Sequence, residues 1–470
     1  YSEEIVDIGD DKDAVMCPYC WHRFLPGDVM FISNHPDLLG DPVLGEGEQQ
    51  RFLPTRFNAN GHAIDSGGII CPDMACPRCH LRLPSPVLDT HPTFFSIVGS
   101  PGSGKSYFLA SAVWKLRTAL PRVFGVHFMD VDAQTNQWIN DYEAKLFFQS
   151  DPSVHQSIAK TDEQAGNVYR QVKINGLPTF LPLPSLFSLA PSSAAESPAK
   201  TDLHTLILYD NAGEHFQAGH DSAHAPGTKH LLYSEGIVFL YDPTEDPRFR
   251  SHFKSGVAVH RRGVAAQRQD VLLVEMLNRI RKHHNLPSDR RFHKPLIIAL
   301  SKADLLDGFP ELAQSPWSAP APHQPAALDI GAIARLSFKV RSLLSDCAPE
   351  VVTLVESFAD HVVFMPFSAL GHQPQAEGIR PCDVSPQWAE VPFLYLLSKL
   401  GMLPAATTNL GGRSAPQLVN PVADTHRITG VNPHTGEPLV IPLCYSGHTI
   451  RCPRTGGPIR MPVVEGVTSI

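Results

Sequence analysis

The sequence predicts a three-layer α/β domain with a mostly parallel sheet of six or more strands, preceded by a small cysteine-containing domain and followed by a β-rich tail. A glycine-rich loop, Gly99–Ser106, joins an apolar strand-like run to a helical run. Further apolar runs end in polar residues, as parallel strands do where they form a ligand site. Two Cys-Pro-x-Cys pairs precede the loop. The predicted boundaries are 1–90, 91–402 and 403–470, and the tail is expected to pack back on the cysteine-containing domain.

The composition is that of a globular protein. The chain has 470 residues, of which 43% are hydrophobic, and no apolar run of 18 residues that would predict a membrane span. The net charge of −8 argues against wholesale non-specific binding of nucleic acid. The nine cysteines are an odd number, which suits metal binding in a reducing compartment better than disulfides. We therefore expect a cytoplasmic location.

The two cysteine pairs predict a structural zinc site. They read Cys17-Pro-Tyr-Cys20 and Cys76-Pro-Arg-Cys79, and each is followed by two residues, an arginine and an apolar run that leads to proline. Two such turns complete the tetrahedral thiolate shell that Zn²⁺ prefers. The pattern resembles a zinc ribbon split by an insertion at 21–75. Redox pairs are the main alternative. Other nearby residues that could replace a ligand are Cys71, His22 and His80.

The loop Gly99–Ser106 fits the phosphate-binding pattern G-x-x-x-x-G-K-[ST]. Its glycines let successive backbone N–H groups face phosphates. Lys105 is expected to neutralise the β- and γ-phosphates and the Ser106 hydroxyl to ligate Mg²⁺. The predicted nucleotide-binding residues here are Gly99, Ser100, Pro101, Gly102, Ser103, Gly104, Lys105 and Ser106.

A second informative stretch is the apolar run 203–210, which ends in Asp210-Asn-Ala-Gly213. Asp-x-x-Gly alone is weak evidence for a nucleotide site, because turns favour these residues. After a phosphate-binding loop it predicts that Asp210 holds Mg²⁺ through water and that the Gly213 amide senses the γ-phosphate.

The rest of the chain follows the same alternation of strands and helices. Residues 176–201, rich in Pro, Ser and Ala, are expected to form a loop or insertion. In the tail, Cys444, His448 and Cys452 could bind metal, but no fourth ligand is evident, and chance placement in a β-hairpin is the alternative. Further strands are expected at 122–131, 168–174, 236–241, 295–300, 361–367, 439–443 and 459–464, and helices at 107–120, 134–149, 270–284, 330–344 and 391–400.

One segment, 248–294, is strongly basic, with twelve Lys and Arg against three acids. Such a segment could form a face for nucleic acid or for an acidic partner. The preferred interpretation is a solvated helix flank, because aromatic residues for stacking single-stranded bases are sparse in it.

In chain order, Gly99–Ser106, Asp210–Gly213, Ser301-Lys-Ala-Asp304 and Ser368-Ala-Leu370 each follow an apolar strand. This order resembles the TRAFAC-class P-loop GTPases, across residues 92–402. With the cysteine pairs and the large insertions, the chain is similar to bacterial zinc-ribbon-containing double-GTPase-type proteins of conflict and defence systems. The resemblance implies a cytoplasmic switch that binds GTP and GDP, hydrolyses GTP with Mg²⁺ and acts on a protein effector or regulator.

The resemblance also implies how the base is read. Asp304 would accept hydrogen bonds from guanine, Lys302 would pack over the ring, and the Ala369 amide would contact the guanine carbonyl. Ser301 stands where the family has Asn or Thr, so a side-chain contact there is shortened or lost. Adenine offers no matching pair of donors to a carboxylate, which favours GTP over ATP. The base-binding residues are then Ser301, Lys302, Asp304, Ser368, Ala369 and Leu370.

The sequence leaves the identity of the group that activates water open. Glu214 follows the Asp-x-x-Gly motif where relatives place Gln or His, and His215 or a group from a partner is the alternative. Thr161 is the first candidate for the switch threonine that caps Mg²⁺, and Thr179 and Thr201 are the next candidates. Two other function classes stay open, a nucleotide-bound scaffold that does not hydrolyse GTP and a nucleic-acid-stimulated ATPase.

Overall fold

The computed structural model describes most of the chain, including most of the central domain. The described residues are 14–151, 153–155, 169–192, 203–210, 229–255, 257, 268–317, 325–374, 378–406, 419–423, 427–433, 435, 437–442, 449–452 and 458–462.

A seven-stranded, mostly parallel sheet forms the centre of the molecule, and it confirms the predicted mixed α/β class. Its strands are β1 (His91–Gly99), β2 (Val126–Asp130), β3 (Ser185–Pro191), β4 (His204–Asp210), β5 (Gly236–Tyr241), β6 (Leu296–Leu300) and β7 (Val362–Pro366). Their spatial order is β2-β3-β4-β1-β5-β6-β7. All neighbouring strands are parallel except the pairs β2–β3 and β3–β4.

Within the described residues, six longer helices accompany the sheet. They are α1 (Lys105–Ala119), α2 (Gln137–Phe147), α3 (Gln269–His283), α4 (Ile330–Cys347), α5 (Pro349–Phe358) and α6 (Val391–Lys399). Helix α1 follows β1 and lies against β1, β2 and β4, so its first turn is at the carboxyl edge of the sheet. Short helical segments are Pro26–Asp28, Pro86–Asp89, Leu120–Phe124, His230–Tyr233, Pro243–Glu245, Pro247–His252, Ala303–Leu305, Pro310–Ala313 and Pro381–Asp383.

The alternation of side chains along β4 assigns its two faces to different cores. In β4, Leu206 and Leu208 belong to the main core with the helices, whereas Ile207 and Tyr209 belong to a second core with the cysteine-containing domain. Because successive side chains in a strand point to opposite faces, the N-terminal domain packs on one face of the sheet at β4. In β5, β6 and β7, buried residues of both faces belong to the main core.

Two predicted segments differ from the structure in part. We expected a strand over 122–131, but Leu120–Phe124 continues α1 as a π-helical turn and the strand is only Val126–Asp130. We expected a loop or insertion over 176–201, and its described part contains the hairpin strand Leu177–Pro182 and sheet strand β3. Prolines at the strand ends suggested a loop, yet proline is tolerated at edge positions and strand ends.

The N-terminal domain is built from short antiparallel strands. Its four-stranded sheet combines strands next to the second cysteine pair with strands from the insertion, so the insertion is part of the domain's own fold. The strands are Val15–Met16, Arg23–Phe24, Met30–Ile32, Leu39–Asp41, Gly45–Gln49, Arg51–Phe52, Ala63–Ile64, Ile70–Cys71, Met74–Ala75 and Arg82–Leu83.

A hairpin, Tyr169–Ile174 with Leu177–Pro182, lies against this domain: the Lys173 amide donates to the Val43 carbonyl at 2.8 Å.

The tail is β-rich where it is described. We expected it to pack on the cysteine-containing domain. Its described side chains instead form a small core with Ala334 and Phe338 of α4. The strands are Val419–Ala423, Arg427–Val431, Pro438–Pro442, Thr449–Arg451 and Pro458–Arg460, and Ala405–Ala406 pairs with Leu328–Asp329.

Candidate functional site

The loop between β1 and α1 has the backbone that its glycines suggest. Gly102 and Gly104 have φ values of 84° and 90°, in the left-handed region that side chains rarely adopt. Gly99 is required for a different reason, because a Cβ there would lie 2.8 Å from the Ser103 Oγ and 3.0 Å from the Leu240 carbonyl oxygen. The loop therefore turns closely against β5.

Lys105 lies at the start of α1 and is 7% exposed. Its ammonium group donates to the backbone carbonyls of Gly99 and Ser100, at 2.9 Å each. The side chain thus runs back under the loop, and its positive charge lies beside the helix N-terminus, where anions are favoured.

The two predicted magnesium ligands lie together. The Ser106 hydroxyl donates to a carboxylate oxygen of Asp210 at 3.1 Å, and Asp210 is buried at the end of β4. A hydroxyl and a carboxylate are hard oxygen donors, which Mg²⁺ prefers. The donor set fits a magnesium ion bound beside a phosphate.

The two predicted base-binding loops also lie together at the carboxyl edge of the sheet. The Ala303 amide donates to the Phe367 carbonyl at 3.0 Å, so the loop that carries Asp304 is joined to the residue before Ser368. Ser111 of α1 donates to the Ala369 carbonyl at 2.7 Å. The described structure thus connects the glycine-rich loop's helix with both loops.

Ser301 and Asp304 have different surroundings. The Ser301 hydroxyl is buried and donates to the Tyr241 carbonyl at 3.2 Å, so it secures the backbone between β5 and β6. Asp304 is half-buried, and its backbone carbonyl accepts a hydrogen bond from Lys254 at 2.7 Å.

Sequence reasoning missed three residues after β5. Lys302 donates to the carboxylate of Asp242, which is fully buried, and to the Thr244 hydroxyl at 3.1 Å. Glu245 accepts a hydrogen bond from the Ser100 hydroxyl at 2.9 Å. The available signal was an acidic residue directly after a buried strand that ends at the carboxyl edge of the sheet.

Several of the predicted site residues lie outside the described residues, so their positions are not described. Thr179 is described, and it lies on the hairpin against the N-terminal domain, where its hydroxyl donates to the Leu177 carbonyl at 3.3 Å. The others are Thr161, Thr201, Gly213, Glu214, His215, Cys444 and His448.

Four cysteines form a second candidate site. The sulfur atoms of Cys17, Cys20, Cys76 and Cys79 all lie within 4.8 Å of one another, and all four residues are buried. The two turns are alike, because Trp21 and His80, the residues after each second cysteine, both adopt a left-handed backbone with φ near 60° (56° and 59°).

Backbone amides support the sulfurs. The Tyr19 amide donates to the Cys17 sulfur and the Arg78 amide to the Cys76 sulfur, at 3.4 Å each. Burial raises the pKa of the Cys17 and Cys79 thiols in the absence of a metal. The geometry and the soft donor set fit a metal ion such as zinc, which would offset the cost of burying thiolates.

The alternative ligands lie elsewhere. The Cys71 thiol donates to Asp65 at 3.5 Å, and His80 pairs with the buried carboxylate of Asp41 at 2.8 Å. Cys452 of the tail is buried and accepts a hydrogen bond from Asn432 at 3.1 Å. Neither Cys71 nor the imidazoles of His22 and His80 join the cysteine cluster found among the described residues.

In the basic segment, four of the seven described arginines pair with carboxylates. Arg248 forms charge-assisted hydrogen bonds with Asp246 and Glu350, which hold its pKa above the usual value for arginine. These pairs neutralise part of the segment's charge, and the choice between a solvated helix flank and a nucleic-acid face stays a prediction. The other pairs are Arg268–Asp270, Arg279–Glu275, Arg291–Asp360 and Lys294–Glu235.

Comparison with known proteins gives one distant similarity. The chain is 24% identical over 344 residues, 70% of its length, to the Mycolicibacterium smegmatis protein SaeC, and the match covers 80% of that protein. SaeC is named as a proposed ESX-1 scaffolding and assembly protein. No family model matches this sequence. Within the described ranges, each helix is too short or too polar to cross a membrane.

Proposed function

We propose that the chain is a GTP-binding molecular switch that hydrolyses GTP to GDP with Mg²⁺ and acts on a protein partner. One observation carries the proposal. A buried lysine, a hydroxyl–carboxylate pair and two further loops meet at one edge of a mostly parallel sheet, where such sheets bind nucleotides.

In this proposal, each group has a role that its surroundings permit. Lys105 and the amides of the glycine-rich loop hold the phosphates, and Lys105 stabilises the charge that moves toward the leaving oxygens. Asp304 accepts hydrogen bonds from the base, while Lys302, held by Asp242, packs over it. Ser106 and Asp210 hold Mg²⁺, which when bound supplies charge neutralisation on the β- and γ-phosphates.

In hydrolysis, a water oxygen forms a bond to the γ-phosphorus while the bond from the γ-phosphorus to the β–γ bridging oxygen breaks. The attacking water must also lose a proton. Glu214 and His215 are the candidates to orient that water, and a partner-supplied group is the alternative. We therefore expect slow turnover by the chain alone.

The cysteine cluster is proposed to bind one Zn²⁺ as a structural site. A four-cysteine shell leaves no position for a substrate, so the ion would stabilise the N-terminal domain rather than take part in the reaction.

The similarity to SaeC favours a second candidate function. Because that relative is named for scaffolding and assembly, this chain is also a candidate for a scaffold that binds nucleotide without hydrolysing it. Both candidates involve protein partners, and they differ in whether phosphate is released.

A nucleotide competition titration tests the base-reading part of the proposal. GTP and GDP are expected to displace a fluorescent guanine nucleotide from the wild-type protein, and ATP is expected to compete at least about 100-fold more weakly. Asp304→Asn should remove most of this preference, whereas Asp307→Asn, an exposed residue three positions later, should keep it. Undiminished guanine preference in Asp304→Asn would count against the assignment, and ATP preference in the wild type would favour the ATPase class.

Single-turnover hydrolysis separates the switch from the scaffold. The protein is mixed in excess with γ-labelled GTP and Mg²⁺, alone and with candidate partners, and labelled phosphate is measured. Release that is slow alone and faster with a partner supports the switch. Tight GTP binding with no release under any condition would leave the scaffold.

A further inference from the structure

Tyr209 connects the two candidate sites. It directly precedes Asp210 in β4 and is 1% exposed. Since neighbouring side chains in a strand point to opposite faces, Asp210 meets Ser106 on the side of α1, while Tyr209 faces the N-terminal domain.

The Tyr209 hydroxyl is bonded to the first cysteine turn. It accepts a hydrogen bond from the Trp21 indole N–H at 3.0 Å and donates to the carbonyl of Pro18. Pro18 lies between Cys17 and Cys20, and Trp21 has the left-handed backbone that closes the turn. The position of the hydroxyl therefore depends on the conformation of the turn that carries two of the four cysteines.

The Tyr209 ring also contacts the chain beyond β4. It stacks on His230, with ring centroids 5.0 Å apart, and lies nearly parallel to Phe94 of β1, at 6.3 Å. His230 is fully buried, and its ring nitrogen pairs with the Ser96 hydroxyl of β1. The ring thus packs against both the strand beside β4 and the residue that starts the next described helix.

The N-terminal domain and the sheet share one core around this residue. Ile207 of β4 and Leu186 of β3 pack in the same apolar cluster as the four cysteines and Trp21. Loosening of the cysteine turn would therefore displace residues at the carboxyl end of β4, because close-packed cores transmit small displacements.

We propose that Tyr209 is a positioning residue that couples metal binding by the four cysteines to the placement of Asp210. An ordered cysteine turn fixes the Tyr209 hydroxyl, and Tyr209 fixes the end of β4, so that Asp210 stays beside Ser106. By the reciprocity of linked equilibria, nucleotide with Mg²⁺ should in turn raise the affinity of the cysteines for the metal and so protect it against loss to a competing chelator. This inference rests on the proposed nucleotide function.

The test uses Tyr209→Phe, which keeps the ring and removes both hydrogen bonds of the hydroxyl. Two quantities are measured on the full chain loaded with Zn²⁺. The first is the Mg²⁺ concentration at half-maximal binding of a fluorescent GTP analogue. The second is the equilibrium partition of zinc between the protein and a chelating dye, with and without GDP and Mg²⁺. Tyr241→Phe is the matched control, since it removes one buried hydroxyl, bonded to Asp246, from strand β5 of the same sheet.

Tyr209→Phe is expected to raise the Mg²⁺ midpoint about tenfold and to remove most of the nucleotide's protection against zinc loss. Tyr241→Phe should change neither. Trp21→Phe, which removes the indole donor from the other side, should act in the same direction and serves if Tyr209→Phe does not fold.

Three results would overturn the coupling. In the first, a folded Tyr209→Phe or Trp21→Phe variant keeps the wild-type midpoint and protection. In the second, Tyr241→Phe changes both quantities equally. If the wild-type protein binds no nucleotide at any Mg²⁺ concentration, the proposed function fails as well, which distinguishes that failure from the other two.

Discussion

Gly99 shows how one missing side chain sets the shape of the candidate nucleotide site. It ends β1 opposite Leu240 of β5, and its backbone conformation is one that other residues adopt, so glycine is required by space alone. Its carbonyl accepts a hydrogen bond from Lys105, so a shift of Gly99 moves the residue on which the phosphate-binding hypothesis depends.

Gly99→Ala should therefore lower both stability and nucleotide affinity. The added Cβ would meet the Leu240 carbonyl at 3.0 Å, and relief requires movement of the backbone, at about 1–3 kcal/mol. Thermal unfolding followed by circular dichroism measures the effect. Gly47→Ala, at a position with open space around it, is the control. Equal melting temperatures for the two variants would show that the loop is not tightly held against β5.

Glu143 on α2 is a buried carboxylate in a polar cluster. Its side chain accepts hydrogen bonds from Arg117 at 3.0 and 3.1 Å, yet burial dominates and raises its pKa to about 7 from an ordinary value of 4.5. The folded protein therefore holds this proton more tightly than the unfolded chain does. The corresponding stabilisation is complete below pH 4.5 and is lost as the pH rises through 7.

We expect the wild-type protein to lose about 2 kcal/mol of stability relative to Glu143→Gln between pH 5.5 and pH 8. The comparison with glutamine isolates this carboxyl group, because other titrations occur in both proteins. Denaturant unfolding at several pH values measures the difference. If the difference in free energy of unfolding between the wild type and Glu143→Gln stayed constant with pH, the raised pKa of Glu143 would be excluded.

At the scale of elements, local patterns predicted what local chemistry determines. The strand–loop–helix order around Gly99–Ser106 and the grouping of the four cysteines were read from short motifs, and both were found. Strand β3 was missed because its flanking prolines resemble a loop, while its pairing with β4 supplies the stability. The role of Asp242 was missed because its partner, Lys302, is 60 residues away.

The cysteine turns lead to a prediction about metal content. The purified protein should contain about one zinc ion per chain by elemental analysis, and Cys76→Ser should lose it with much of the N-terminal domain's stability. Cys382→Ser, at an exposed cysteine, should retain the metal. Metal-free wild-type protein that unfolds at the same temperature as the zinc-loaded protein would remove the structural role.

At the scale of the whole molecule, the central sheet gives each part of the chain a face or an edge. The main core with the helices includes both faces of β5 to β7, the cysteine-containing domain packs on one face at β4, and the candidate nucleotide residues lie at the carboxyl edge. The sequence predicted the edge, because each motif follows a strand. It did not predict the contact of Trp21 with Tyr209, which are 188 residues apart.

The most direct test of the central hypothesis is equilibrium binding of GTP and GDP to the wild-type protein and to Lys105→Ala in the presence of Mg²⁺, measured by calorimetry. The affinity for guanine nucleotide should fall about 100-fold or more in Lys105→Ala, because the substitution removes a buried charge that is proposed to face the phosphates. Lys339→Ala, an exposed residue of α4 paired with Glu311, should bind like the wild type. A wild-type protein that binds no guanine nucleotide, or a Lys105→Ala variant with unchanged affinity, would contradict the hypothesis.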